Sequence, residues 1–125
     1  MIVKKINRDN CFIWLERVTK NFNLFAPVKD NSVQFKKVKN VEEISVDFTN
    51  TIIPPKQILF DQNEVILKYK KHGTTIDIKE SFNIDRKNII FGIRACDLMG
   101  LDILNKIFLE NYEDYLYITK RENTI

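Results

Sequence analysis

The fold is decided by one stretch in the last third of the chain, which runs KNIIFGI over residues 87–93 and RACDLMGLDILNKIF over residues 94–108. The first part is a continuous apolar run, which is typical of a strand buried on both faces in a parallel sheet. In the second part, apolar residues recur at three- and four-residue steps, as on a helix. These residues are Leu98, Leu101, Leu104, Ile107 and Phe108. The stretch therefore predicts a strand–loop–helix unit.

The loop of this unit holds three side chains that can carry chemistry, Arg94, Cys96 and Asp97. It follows the carboxyl end of the predicted strand, where ligands bind in open α/β sheets. We expect Asp97 to cap the helix, and the positive end of the helix to stabilise a thiolate at Cys96. Arg94 adds a permanent charge that can bind a carboxylate or phosphate. On spacing alone the favoured alternative is structural, with Cys96 packed, Asp97 capping and Arg94 in a salt bridge.

The first fifth of the chain predicts an amphipathic helix. Asn7 or Asp9 can accept hydrogen bonds from the free amides of its first turn. The expected buried stripe follows helical spacing and consists of Cys11, Trp14, Leu15, Val18 and Phe22. We expect Cys11 and Trp14 in particular to be core residues.

The middle of the chain is rich in strand patterns. The expected strands are residues 25–28 and 33–38, with a turn over 29–32, and residues 65–69 and 74–78, with a turn at His72-Gly73. Residues 41–48 are ambiguous, and residues 56–60 indicate a single helical turn. With the C-terminal unit, these elements predict an α/β (or α+β) fold, in which residues 1–125 form one small domain with a mixed sheet.

Composition and charge exclude several classes of protein. The formal net charge is only +3, and most lysines are interleaved with acidic residues, which disfavours a nucleic-acid-binding stripe. No apolar run approaches the roughly 18 residues that indicate a membrane span, and the N-terminus lacks the apolar core of a signal peptide. Cys11 and Cys96 lie far apart, as free thiols in a reducing compartment would, although a single bridge stays open. We therefore expect a cytoplasmic protein without nucleic-acid or membrane partners.

The sequence contains few residues for independent catalysis. His72 is the only histidine, and its place in a polar turn favours a solvated imidazole. No CxxC pair and no ferredoxin-like cysteine run is present, so the chain is not expected to hold an iron–sulfur cluster alone. An independent thiol enzyme built on Cys96 is disfavoured, because no histidine or second cysteine lies near it in the sequence.

Several motifs, in one order along nearly the whole chain, carry a resemblance to a known family. They are FAPV at 25–28, PPKQILF at 54–60, IIFGIRACD at 89–97, YL at 115–116 and RENTI at 121–125. The set resembles the N-terminal domain of the iron–sulfur subunit family of anaerobic sulfite reductase and of cytoplasmic sulfhydrogenase (beta subunit). One departure is Ala95, where that family usually has proline, which relaxes the loop but keeps the arginine, cysteine and aspartate.

The resemblance implies a role in electron transfer. Family members continue into a cysteine-rich region with ferredoxin-type 4Fe–4S clusters, so we expect residues 1–125 to be the N-terminal domain of a longer subunit, without a cofactor of its own. Implied partners are flavin-bearing and catalytic subunits, together with the ferredoxin-like region of the same polypeptide. Cys96 would give one thiolate to a shared cluster, with Arg94 and Asp97 beside it. The alternative is a non-redox module that binds an anionic ligand or a protein partner through the loop 94–97.

Overall fold

The computed structural model describes residues 4–80 and 85–125, except for the side chain of Asn111. Its helices are α1 (Arg8–Asn21), α2 (Ala95–Asn105), which continues as a π-helical segment (Lys106–Asn111), and α3 (Tyr115–Glu122). Its strands are β1 (Asn23–Lys29), β2 (Val33–Val38), β3 (Leu67–His72), β4 (Thr75–Glu80) and β5 (Asn88–Ile90). Two short 3₁₀ turns lie at Val41–Glu43 and Pro55–Ile58.

The main sheet is mixed, as predicted, with strand order β2-β1-β5. β1 pairs antiparallel with β2 and parallel with β5, which confirms the small α/β domain. The predicted strand over residues 87–93 is too long, because only Asn88–Ile90 pairs and its residues are half-buried rather than buried on both faces. The backbone of Gly92, at a φ of 81°, turns the chain out of the strand direction shortly afterwards. Few other residues adopt this φ without strain.

The main core lies between α1 and one face of this sheet. Leu15 and Val18 of the helix pack with Leu24, Ala26 and neighbouring residues of the sheet and the first 3₁₀ turn. Asn7 caps the helix, because its side chain accepts a hydrogen bond from the amide of Asn10 at 2.9 Å. The helix and its cap therefore form as predicted.

The prediction that Trp14 belongs to the buried stripe of α1 is wrong. Its side chain is 46% exposed, whereas Leu15 is fully buried and Cys11 and Phe22 pack against the core. The residues at positions 11, 15, 18 and 22 cluster on one side of a helix with 3.6 residues per turn, and position 14 lies about 70° from the centre of that cluster. The ring of Trp14 thus falls at the edge of the buried face.

A second, smaller core is built on the inner face of α2. Leu101 packs with Leu59, which follows the second 3₁₀ turn, and with Tyr117 of α3. The buried ammonium of Lys120 forms salt bridges to Asp61 at 2.8 Å and to Glu64 at 2.7 Å. These bridges fasten α3 to the segment that follows Leu59.

The environment of Lys120 raises the pKa of its ammonium. Desolvation by burial acts to lower this pKa, but the hydrogen bonds and charges of Asp61 and Glu64 together outweigh it. The pKa of Lys120 therefore lies above its ordinary value of 10.5. The positive form of Lys120 is the form that the fold stabilises.

Strands β3 and β4 form a separate two-stranded hairpin. Gly73 in its turn has a φ of 62°, as a tight hairpin turn requires. The register places the apolar side chains on one face and most of the lysines on the other. The apolar face carries Leu67, Tyr69, Ile76 and Ile78, and every residue of both strands is exposed. The hairpin thus presents an amphipathic surface to solvent.

Within the described ranges, the structure contains no helix with both the length and the apolar character that a membrane crossing would require.

Candidate functional site

The candidate site lies where the chain leaves β5 and enters α2. Arg94 has extended backbone angles and occupies the N-cap position, so the helix begins at Ala95. The prediction that Asp97 caps this helix is wrong, because Asp97 already lies in the first helical turn. The turn at Gly92 ends the extended segment early, so the cap position falls before the predicted one. Among the described residues no side chain caps α2, so its first amides lack the acceptor that Asn7 provides for α1.

Arg94 forms no salt bridge to a carboxylate in the described part of the chain. Its guanidinium carbon lies 4.5 Å from the ring centroid of Phe48, a distance typical of a cation–π contact. Its Nε is buried and has no hydrogen-bond partner among the described residues. The expected structural salt bridge of Arg94 is therefore absent from residues 4–80 and 85–125.

Arg94 and Phe48 line a cavity of about 300 Å³ at the carboxyl ends of β1 and β5. The other lining residues are Pro27, Ser45, Val46, Phe91 and Gly92. A side chain at position 92 would bring its Cβ to 3.4 Å from the ring of Pro27, so glycine keeps this wall open. The cavity occupies the position that the parallel pair of strands predicts for a ligand.

Cys96 and Asp97 do not line this cavity. Cys96 is exposed and Asp97 is half-buried. The structure therefore brings only Arg94 of the three predicted site residues into the cavity. Among the described residues Cys96 is not packed, because it is exposed on the first turn of α2.

Cys96 begins an exposed apolar stripe on the outer face of α2. Met99, Ile103 and Ile107 follow it at helical spacing, and their side chains are 68%, 62% and 40% exposed. Leu101 and Leu104 occupy the opposite, inner face. α2 is thus apolar on two sides, a property typical of a helix that is covered on both.

The described residues do not suffice to hold a metal centre. Across the parts of the chain that the structure describes, no three His, Cys, Asp or Glu side chains lie together as a metal site. A 4Fe–4S cluster takes four thiolate ligands. Cys96 therefore fits such a cluster only as one ligand among others that come from elsewhere.

A larger cavity of about 560 Å³ lies at the opposite, amino ends of β1 and β5. Lys37, Lys39, Arg86 and Lys120 line it, together with the acidic Asp85 and several uncharged residues. Lys37 and Lys39 are near neighbours in the sequence, but Arg86 and Lys120 lie far from them and from each other. The charge of Lys120 is already matched by its two carboxylates.

Phe48 is the site residue that the sequence patterns did not indicate. It lies in the ambiguous segment 41–48 and reaches Arg94 through a contact between residues far apart in the sequence. Periodicity describes neighbours on one element, so it gives no indication of this pairing.

Comparison with known proteins gives one informative relative. No protein-family profile matches the chain, and no solved structure matches it. The beta subunit of sulfhydrogenase 2 from Pyrococcus furiosus is 34% identical over 101 residues. The aligned part makes up 80% of this chain and 29% of that relative, so the chain spans less than a third of the relative's length. Over the matched residues, this chain is similar to the beta subunit of a sulfhydrogenase.

Proposed function

We propose that this chain is a docking domain of an iron–sulfur electron-transfer subunit in a hydrogenase-type oxidoreductase. The observation that carries the proposal is the 34% identity to a sulfhydrogenase beta subunit. A hydrogenase-type parent is preferred to a sulfite reductase because the relative is a sulfhydrogenase. In this proposal residues 1–125 are the N-terminal domain of a longer cytoplasmic subunit. Its partners are flavin-bearing and catalytic subunits.

The outer face of α2 supports a docking role. Met99 and Ile103 are more than half exposed, and Cys96 lies at the head of their stripe. Burial of each such side chain against a partner contributes roughly 1–2 kcal/mol. The occupant that we propose is the cluster-bearing polypeptide of the same complex. An apolar cover would exclude water around a redox centre, and in this proposal the centre meets the domain at the thiol of Cys96.

Cys96 is proposed as one thiolate ligand of a shared 4Fe–4S cluster. The cluster, when bound, supplies one-electron transfer. The protein's own contribution is to hold the sulfur on a rigid first helical turn, with the positive end of α2 beside it. Asp97, one residue further along the turn, is half-buried and adds a negative charge near the same end.

The experiment replaces Cys96 in the natural full-length protein. Cys96→Ser is compared with Cys11→Ser, because Cys11 is a half-buried thiol that packs against the main core. We expect Cys96→Ser to lower the iron content by about four atoms per polypeptide, or to change the electron paramagnetic resonance of one cluster. Cys11→Ser is expected to leave both unchanged.

A Cys96→Ser protein that retains its full iron content and all its cluster spectra would exclude the ligand role. Loss of iron in both variants would indicate general unfolding, and circular dichroism separates that case. Loss of iron with normal assembly of the complex would support the ligand role without the docking role.

A further inference from the structure

The Nε of Arg94 is a buried charged donor without an acceptor among the described residues. Buried polar groups in folded proteins are nearly always hydrogen-bonded, and leaving one unpaired is costly. The stacking of the guanidinium on Phe48 stabilises its plane but provides no acceptor atom for the N–H group. An acceptor is therefore missing from the part of the chain that the structure describes.

Arg94 also lines a cavity, and this cavity has room for a group that accepts hydrogen bonds from the guanidinium. Its volume of about 300 Å³ is at the lower end of the range for small-molecule sites. Its walls are mainly apolar, with the rings of Phe48 and Phe91 and the side chains of Pro27 and Val46. Arg94 is the only ionisable residue among those lining it, and Ser45 adds a hydroxyl.

We propose that this cavity binds a small monocarboxylate whose carboxylate pairs with Arg94 and whose apolar or aromatic body lies against Phe48 and Phe91. A planar guanidinium matches a carboxylate through two parallel hydrogen bonds. A phosphate group, with up to two negative charges, matches the single guanidinium of Arg94 less well than a carboxylate with one charge does. The adjacent start of α2 adds positive potential for an anion.

Ser45 is placed to contribute a second contact. Its hydroxyl lies on the cavity wall and makes a long hydrogen bond of 3.5 Å to the backbone carbonyl of Asp47. This bond is weak enough to be exchanged for one to a ligand oxygen. The inference is independent of the electron-transfer proposal, because Cys96 does not line the cavity.

The test measures binding of benzoate to the full chain by calorimetry, with benzamide, inorganic phosphate and the Arg94→Gln variant as comparisons. Benzamide has the same ring and nearly the same size as benzoate but no charge. Arg121→Gln is the matched control, because the Nε of Arg121 is also buried without a described partner but Arg121 lines neither cavity. Arg94→Lys replaces Arg94→Gln if the latter does not fold.

We expect benzoate to bind the native chain and Arg121→Gln with similar affinity. Binding to Arg94→Gln is expected to be at least about tenfold weaker, as loss of a charged hydrogen bond predicts. Benzamide and phosphate are expected to bind at least about tenfold more weakly than benzoate to the native chain. Equal binding of benzoate and benzamide, stronger binding of phosphate, an unaffected Arg94 variant or no detectable binding of benzoate would each overturn the proposal.

Discussion

Helix α2 has a higher share of apolar residues than helix α1, and the two helices place these residues differently. α1 buries Leu15 and Val18 on one side and exposes mostly polar residues on the other. α2 buries Leu101 on its inner side and still exposes Met99 and Ile103 on its outer side. Each helix contains one cysteine, half-buried in α1 and exposed in α2.

The difference shows that the main apolar face of α1 is covered within this chain, whereas α2 has a second apolar face without a cover in the described residues. The N-termini of the two helices differ as well. Asn7 caps α1 with a side-chain hydrogen bond, while α2 begins after Arg94 without one. α1 therefore has a capped start and a half-buried thiol, whereas α2 has a start without a side-chain cap and an exposed thiol.

The largest expected effect is a difference in stability between two truncations, one on the buried face of α1 and one on the exposed face of α2. Leu15→Ala removes a fully buried side chain and is expected to lower the free energy of unfolding by about 3 kcal/mol. Ile103→Ala, on the exposed face of α2, is expected to change it by less than about 0.5 kcal/mol. Urea unfolding of the full chain measures both. A cost above about 2 kcal/mol for Ile103→Ala would break the comparison.

A second experiment sharpens the comparison by testing assembly. Ile103→Asp places a charge in the centre of the proposed docking face, and we expect it to weaken association with the redox partner subunits by roughly 30-fold, as for a central interface residue. The control is Ile13→Asp on α1, whose side chain is 49% exposed and lies outside that face. Co-purification of the natural complex provides the measurement. Normal assembly of the Ile103 variant would remove α2 from the interface.

The smallest expected effect concerns the salt bridges of Lys120 to Asp61 and Glu64, and it depends on pH. Because the pKa of folded Lys120 lies above its ordinary value of 10.5, its contribution to stability is complete below that pH. The contribution is lost as the pH rises through the folded value. Burial also raises the pKa of Tyr117, so its phenol opposes folding in the same alkaline range.

Thermal unfolding of the native chain and of Lys120→Met between about pH 8 and 12 isolates the lysine. The variant is expected to lose less stability than the native chain on going above pH 10.5, since it has no ammonium to titrate. Parallel curves for the two proteins would show that the salt bridges to Asp61 and Glu64 do not contribute in this range.

The sequence predicted those parts of the fold that depend on local periodicity. The antiparallel pair β1–β2, the hairpin turn at Gly73 and helix α1 all follow from residues close in the chain. Trp14 was misplaced because a stripe assigned by three- and four-residue steps is wider than the face that the sheet covers. Asp97 was misplaced because the start of α2 is set by the turn at Gly92 and not by the best capping residue.

The candidate site was only partly predictable. Arg94 and Cys96 stand out because they follow an apolar strand, but the sequence did not show that they face different directions. The cavity depends on Phe48, which lies 46 residues before Arg94 and meets it only through the tertiary fold. Contacts of this kind leave no trace in a single sequence.

The β3–β4 hairpin and the rest of the domain are expected to differ in the free energy needed to open them. Because every residue of both strands is exposed, the hydrogen bonds between them can break without opening either core. A two-stranded hairpin alone in water is marginal, so we expect this arm to open at a lower free-energy cost than the rest of the domain. The arm can thus vary in sequence or length, or be clasped by another molecule, at almost no cost to the helices and the main sheet.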